Sequence, residues 1–334
     1  MRSAIQVLAI SICSAAWLAA QSNSSFSTAL VGLALDQNSQ LRPIAGVPGA
    51  AQLGAALKID PSIQVLAIGP HTDYVIGTRA DSGDLLLIQR PLGDAAVTLL
   101  ATGYGATAVS CSPKGKTIVA VNAANAAQVW TGLPDNPTTS GTFDVSAAGE
   151  PSAFSVSDDG QALLAASPAG SPVSIFIATG AAATRVLTSV SQFGGMAFVS
   201  GTRDALLADA ASNQVSRIRD AGGAASASLL ADSSAGIANP VDLASSEDGR
   251  TVFVANGNPG GVVLLDLGGA AARTIACDCT PIGLAKLNAS DVFRLTDSAS
   301  GLFWVFSANG PSPRITPVPP DPALAAAAPS GVQQ

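Results

Sequence analysis

Short apolar runs alternate with clusters of Gly, Pro, Asn, Asp and Ser along most of the chain. Residues 241–267, VDLASSEDGRTVFVANGNPGGVVLLDL, show the pattern most clearly: three apolar runs parted by two turns. The first turn carries Glu247-Asp248-Gly249, and matching turns occur at Ser112-Pro113-Lys114-Gly115 and Ser157-Asp158-Asp159-Gly160. Weaker copies sit at Gly69–Thr72, Ser200–Arg203 and Asn288–Asp291. The last residues of these turns, at 72, 115, 160, 203, 249 and 291, recur about every 44 residues. An apolar strand precedes each turn, as at Ala106–Ser110, and another follows, as at Thr117–Val121. A third strand and a fourth complete the unit, at 262–266 and 273–277 in the same copy. Each repeat therefore predicts four short strands joined by tight turns. No segment carries a sustained helical period with caps.

A single four-stranded sheet cannot bury both of its faces. Sheets arranged radially bury them against one another, and small residues on the first strands suit the crowding near the axis. The expected fold class is all-β, a β-propeller. Six complete repeats span about 62–319. Residues 31–44, VGLALDQNSQLRPI, align with 282–295, IGLAKLNASDVFRL, as the inner half of a further repeat whose outer half is replaced by 47–61. Seven blades with an incomplete first are favoured; six blades with an added hairpin are the alternative. The unit at 241–267, with its strand, SxDG-like turn, strand, Val-Ala-Asn and strand order, resembles bacterial YVTN-type and lactonase-like surface or periplasmic propeller repeats. That resemblance covers most of the chain and implies extracytoplasmic binding or scaffolding, with some enzymes among the relatives. A shared fold does not carry their chemistry across.

The N-terminus supports the same compartment. Arg2 precedes the apolar stretch 4–20 and small residues follow, so residues 1–22 read as a secretory signal peptide, with an uncleaved anchor helix as the alternative. The propeller is expected over 23–319 and a disordered Pro/Ala-rich tail over 320–334. No later segment gives 18 unbroken apolar residues, so the mature chain is expected to hold no transmembrane segment. A net charge of −7 without a basic cluster argues against nucleic acid. Of the four cysteines, Cys13 lies in the leader, leaving Cys111, Cys277 and Cys279. Unpaired thiols are the favoured reading of these three, a disulfide between two of them the next, and a metal site the least.

Chemistry is sparse. Gly115-Lys116-Thr117 ends like a phosphate loop, but Ser110 stands where a glycine is needed and a strand follows instead of a helix. His71 is the single histidine and sits in a turn, expected exposed, which leaves no basis for a histidine triad or multi-histidine metal centre. The loops after each second strand are richer, and propeller symmetry gathers them on one face. Arg79, Asn122, Asp209, Asn256 and Asp297 are the candidate ligand-binding residues there, joined by Tyr104, Glu150 and Asp232 from the loops between blades. Such oxygens could hold calcium or a polar small molecule; Asp and Asn also favour turns for purely local reasons. The expected function is a monomeric, secreted or periplasmic binding or protein-interaction scaffold without a resident cofactor or catalytic residues. The alternative is a lactonase-like or sugar-processing enzyme with a cation at the channel mouth.

Overall fold

The computed structural model describes residues 29–36, 38–168, 170–180, 182–288, 291–296, 303–309 and 312–319. The expected signal peptide, the tail beyond 319 and Asp297 lie outside them. Seven antiparallel sheets follow one another along the chain, each with its strands in sequence order. Blade 1 has three strands, Leu30–Leu35, Leu41–Ala45 and Gln52–Leu53. The other six have four each, and their first strands are Ile63–Ile68, Ala106–Cys111, Ala153–Val156, Phe193–Phe198, Pro240–Ser245 and Leu284–Asn288. The architecture is a seven-bladed β-propeller with a short first blade, and the six-bladed alternative falls.

Burial explains the arrangement. The second strands, such as Thr117–Asn122 and Ala162–Ala166, are apolar runs buried on both faces. A two-period alternation would leave one face wet; a continuous run fits a strand packed between two neighbouring sheets. The outer strands, such as Ser226–Ala231, are mostly exposed. Seven hydrophobic clusters fill the seven seams between adjacent blades. In the seam between blades 6 and 7, Phe253, Phe293 and Phe306 pack as a triad with ring centroids 4.9–6.1 Å apart.

The ring closes by contact between blades 7 and 1, without a blade shared by the two ends of the chain. Val31, Ala34 and Ile44 pack on Leu287, Val292 and Val305. Asn288 donates its side-chain amide to Val31 O at 2.8 Å. Gly32 permits this approach, since a Cβ there would lie 2.7 Å from Leu287 Cβ.

The recurring turn after the first strand ties neighbouring blades together. Within the turn, Ser157 donates to Asp159 and Gly160 N to Ser157 O, and Ser246, Asp248 and Gly249 repeat the pattern. Gly249 adopts φ +70°, where other residues are strained. Between turns, Asp158 accepts from Lys114 N at 2.8 Å and from Gly201 N at 2.7 Å, joining blades 3, 4 and 5. Ser200 Oγ donates to Glu247 O, and Glu247 N donates to Asp291 Oδ1, joining blades 5, 6 and 7. The repeated motif thus builds a belt around one mouth of the central channel.

One cysteine expectation is corrected. Cys277 and Cys279 form a disulfide with a Cα–Cα distance of 5.2 Å, and Cys111 is a free thiol. The chain bends as it leaves blade 6, with Cys277 N donating to Gly260 O, which brings the two α-carbons closer than an extended chain allows.

Candidate functional site

The first strands of all seven blades surround a channel cavity of about 560 Å³. Its lining comes from the later half of those strands and the turns beyond them, so it occupies the end of the channel next to the turn belt. Most of the lining is apolar, including Leu33, Leu66, Val109, Phe154, Met196 and Leu284. The charged groups in it are Asp242, Lys286 and Arg294.

Asp242 stands at a repeat position occupied by Val65, Ala108, Ala153, Gly195 and Gly283 in the other four-stranded blades, one residue before the cavity-lining Leu66, Val109, Phe154, Met196 and Leu284. Its Oδ2 accepts from Leu284 N of blade 7 at 2.7 Å and its Oδ1 from Leu243 N at 2.8 Å. Burial pushes its pKa up to about 6 against the pull of these two N–H groups, and no charged side chain contributes. The residue as a whole is partly exposed and lies in the cavity lining. Cys111 also lines the space. Burial raises its thiol to about 11, so it is protonated at neutral pH and is a poor nucleophile there.

A second polar cluster sits at the rim. Lys286 Nζ donates to Glu247 Oε2 and lies 4.0 Å from Asp291 Oδ1. His71 Nε2 is 3.5 Å from Glu247 Oε1, and the histidine side chain is 27% exposed, less open than its turn position implied. Arg294 Nη1 donates to Leu35 O at 3.2 Å.

The loop residues singled out from the sequence are placed differently. Asn122 Oδ1 accepts from Ala124 N and Ala126 N within its own turn. Asp209 accepts from Ser191, Gln192, Ala211 and Ser212 N–H groups, which hold its carboxyl below the usual range despite the opposing effect of burial. Asn256 is 2% exposed and bridges Ala238 N and Gly236 O. Arg79 lies 3.5 Å from Ser62 Oγ and 3.7 Å from Asp60 Oδ2. Asp297 lies outside the described residues. Tyr104 bonds Ala120 O and Ala126 O, and Asp232 accepts from Ser234 N, while Glu150 is exposed. None of the described residues among these lines the cavity, and the second-strand loops lie at the opposite end of their strands from the turn belt. Among the described residues no group of three or more His, Cys, Asp and Glu is placed to hold a metal.

Asp242 is not among the loop candidates because it lies within the first strand of blade 6. Its signal is one carboxylate inside an apolar strand, visible once the repeats are set in register.

No protein-family model matches the sequence, and no curated protein matches it. Solved structures resemble the fold. A functionally unknown protein from Desulfotomaculum acetoxidans DSM 771 matches at TM-score 0.57 and 15% identity, over 87% of this chain and 99% of its own. Kuenenia stuttgartiensis hydrazine synthase matches at TM-score 0.53 and 13% identity, over 80% of this chain and 89% of its own. At such identities the likeness concerns the fold alone.

Proposed function

We propose that this protein is an extracytoplasmic binding propeller whose ligand occupies the channel cavity. The observation that carries the reading is the cavity itself: about 560 Å³, walled by every blade, mostly apolar, with a carboxyl in its wall. Volume and lining match the usual form of a small-molecule site. The lining moves the expected ligand from a polar molecule at the loops to a mainly apolar one in the channel. The apolar leader-like stretch 4–20 and the Cys277–Cys279 disulfide support an oxidising compartment, because disulfides persist there and are rare in a reducing cytosol.

The test is a thermal-shift screen of a small-molecule library on the wild type and on Ala244→Trp, which puts an indole into the channel wall. Wild-type hits should stabilise by mass action and lose their effect in the folded variant. Hits that stabilise both proteins equally would place binding elsewhere and overturn the reading.

A further inference from the structure

We infer that the channel cavity selects a small organic cation, an amine carried on an apolar body, with the Asp242 carboxylate as its counter-charge. The inference rests on the channel being the ligand site. Three features of the wall lead to it. Asp242 reaches the cavity from blade 6, where the corresponding residues of the other four-stranded blades are Val, Ala or Gly and lie outside the lining. Its two protein partners are backbone N–H groups, and it forms no ion pair among the described residues. A carboxylate offers about four acceptor positions, so two such bonds leave room for a donor arriving from the channel.

Burying a carboxylate without a cation is costly, and a ligand that brings the positive charge recovers that cost. A neutral donor recovers less, and an anion adds repulsion. The other cationic groups of the wall do not supply the charge. Lys286 is held by Glu247 and faces Asp291. Arg294 donates to Leu35 O, and neither side chain is among the influences on Asp242. Blades 2 and 3 lie on the far side of the ring from blade 6 and present Leu66 and Val109 to the channel. An amine bound at Asp242 therefore directs its apolar body toward apolar wall.

The chemistry can be probed with three isosteres: tryptamine, tryptophol and indole-3-acetate. Isothermal titration at pH 7.5 should find tryptamine bound at least about tenfold more tightly than tryptophol, the scale of a charge-assisted bond over a neutral one. Indole-3-acetate should bind most weakly. Asp242→Asn should bring tryptamine and tryptophol to similar affinity. Should that variant not fold, the wild type still decides. Its tryptamine affinity should fall about tenfold between pH 7.5 and pH 5 as Asp242 takes up a proton, while tryptophol stays constant. Equal binding of tryptamine and tryptophol, or a preference for indole-3-acetate, would overturn cation selection while leaving the channel as a binding site. Absence of binding by all three would count against the inference, and only failure of the wider screen would count against the channel itself.

Discussion

His71 of blade 2 and Glu247 of blade 6 meet at 3.5 Å, Nε2 to Oε1, although blades 7 and 1 lie between them in the ring. Glu247 also holds Lys286 of blade 7, whose side chain is 10% exposed. One carboxylate thus links three blades at the channel rim. Glu247→Gln strands a nearly buried ammonium, with Asp291 at 4.0 Å as its remaining acid. We expect a loss of about 1–3 kcal/mol in urea unfolding at pH 7. Adding Lys286→Met should recover part of it, because the uncompensated charge is then gone. A Glu247→Gln midpoint equal to wild type would show that the rim pair contributes nothing.

Asp242 gives the protein a distinct pH signature. The folded carboxyl keeps its proton to about pH 6, whereas the unperturbed group releases it near 3.8. Between those values the folded state binds more protons, so this group's contribution is full below about pH 4 and is lost as pH rises through 6. Asp36 and Asp209, whose pKa values are lowered, act oppositely and lose stability as the solution is acidified. The difference between Asp242→Asn and wild type removes them. That difference should shift in favour of the variant by on the order of 1–3 kcal/mol between pH 4.5 and pH 7.5. A pH-independent difference in paired urea titrations would contradict the buried carboxyl.

Ring closure depends on a glycine with no room for a methyl group. A Cβ on Gly32 would stand 2.7 Å from Leu287 Cβ and 2.9 Å from Leu287 O. Gly32→Ala should cost about 1–3 kcal/mol by forcing blades 1 and 7 apart. Gly93→Ala is the control: a Cβ there meets nothing within 4 Å, so its melting temperature should hold or rise slightly. Equal melting temperatures for the two variants would mean that blade 1 does not close the ring at Gly32.

The repeat was legible because one turn does two jobs. Ser157, Asp159 and Gly160 shape their own turn, while Asp158 bonds the turns one repeat away on either side, so spacing and residue types recur together. Closure was not legible: Gly32 and Leu287 lie in aligned copies of the repeat, but the alignment does not say that the first copy packs against the last. The loop candidates have a local use in their own turns. Asn122, Asp209 and Asn256 are polar because nearby backbone groups need partners there, the local use that Asp and Asn commonly serve. Asp242 has the opposite character, a lone carboxyl within a strand whose neighbours Val241, Leu243 and Ala244 are apolar, so the strand pattern hides it. The paired cysteines depended on a bend after Ala276 that an extended-chain reading of Cys277-Asp278-Cys279 does not contain.

Cys111 offers the most direct test of the channel as the ligand site, because it is one of the residues around the cavity while Cys277 and Cys279 are already paired. Methyl methanethiosulfonate labelling at pH 9, where more of the Cys111 thiol is ionised than at neutral pH, would be followed by mass spectrometry of the Cys111 peptide, with and without the best-binding amine. With ligand at ten times its Kd, labelling should slow about tenfold, following the fraction of protein left unoccupied. An unchanged rate at saturation would place the ligand outside the channel and contradict the account.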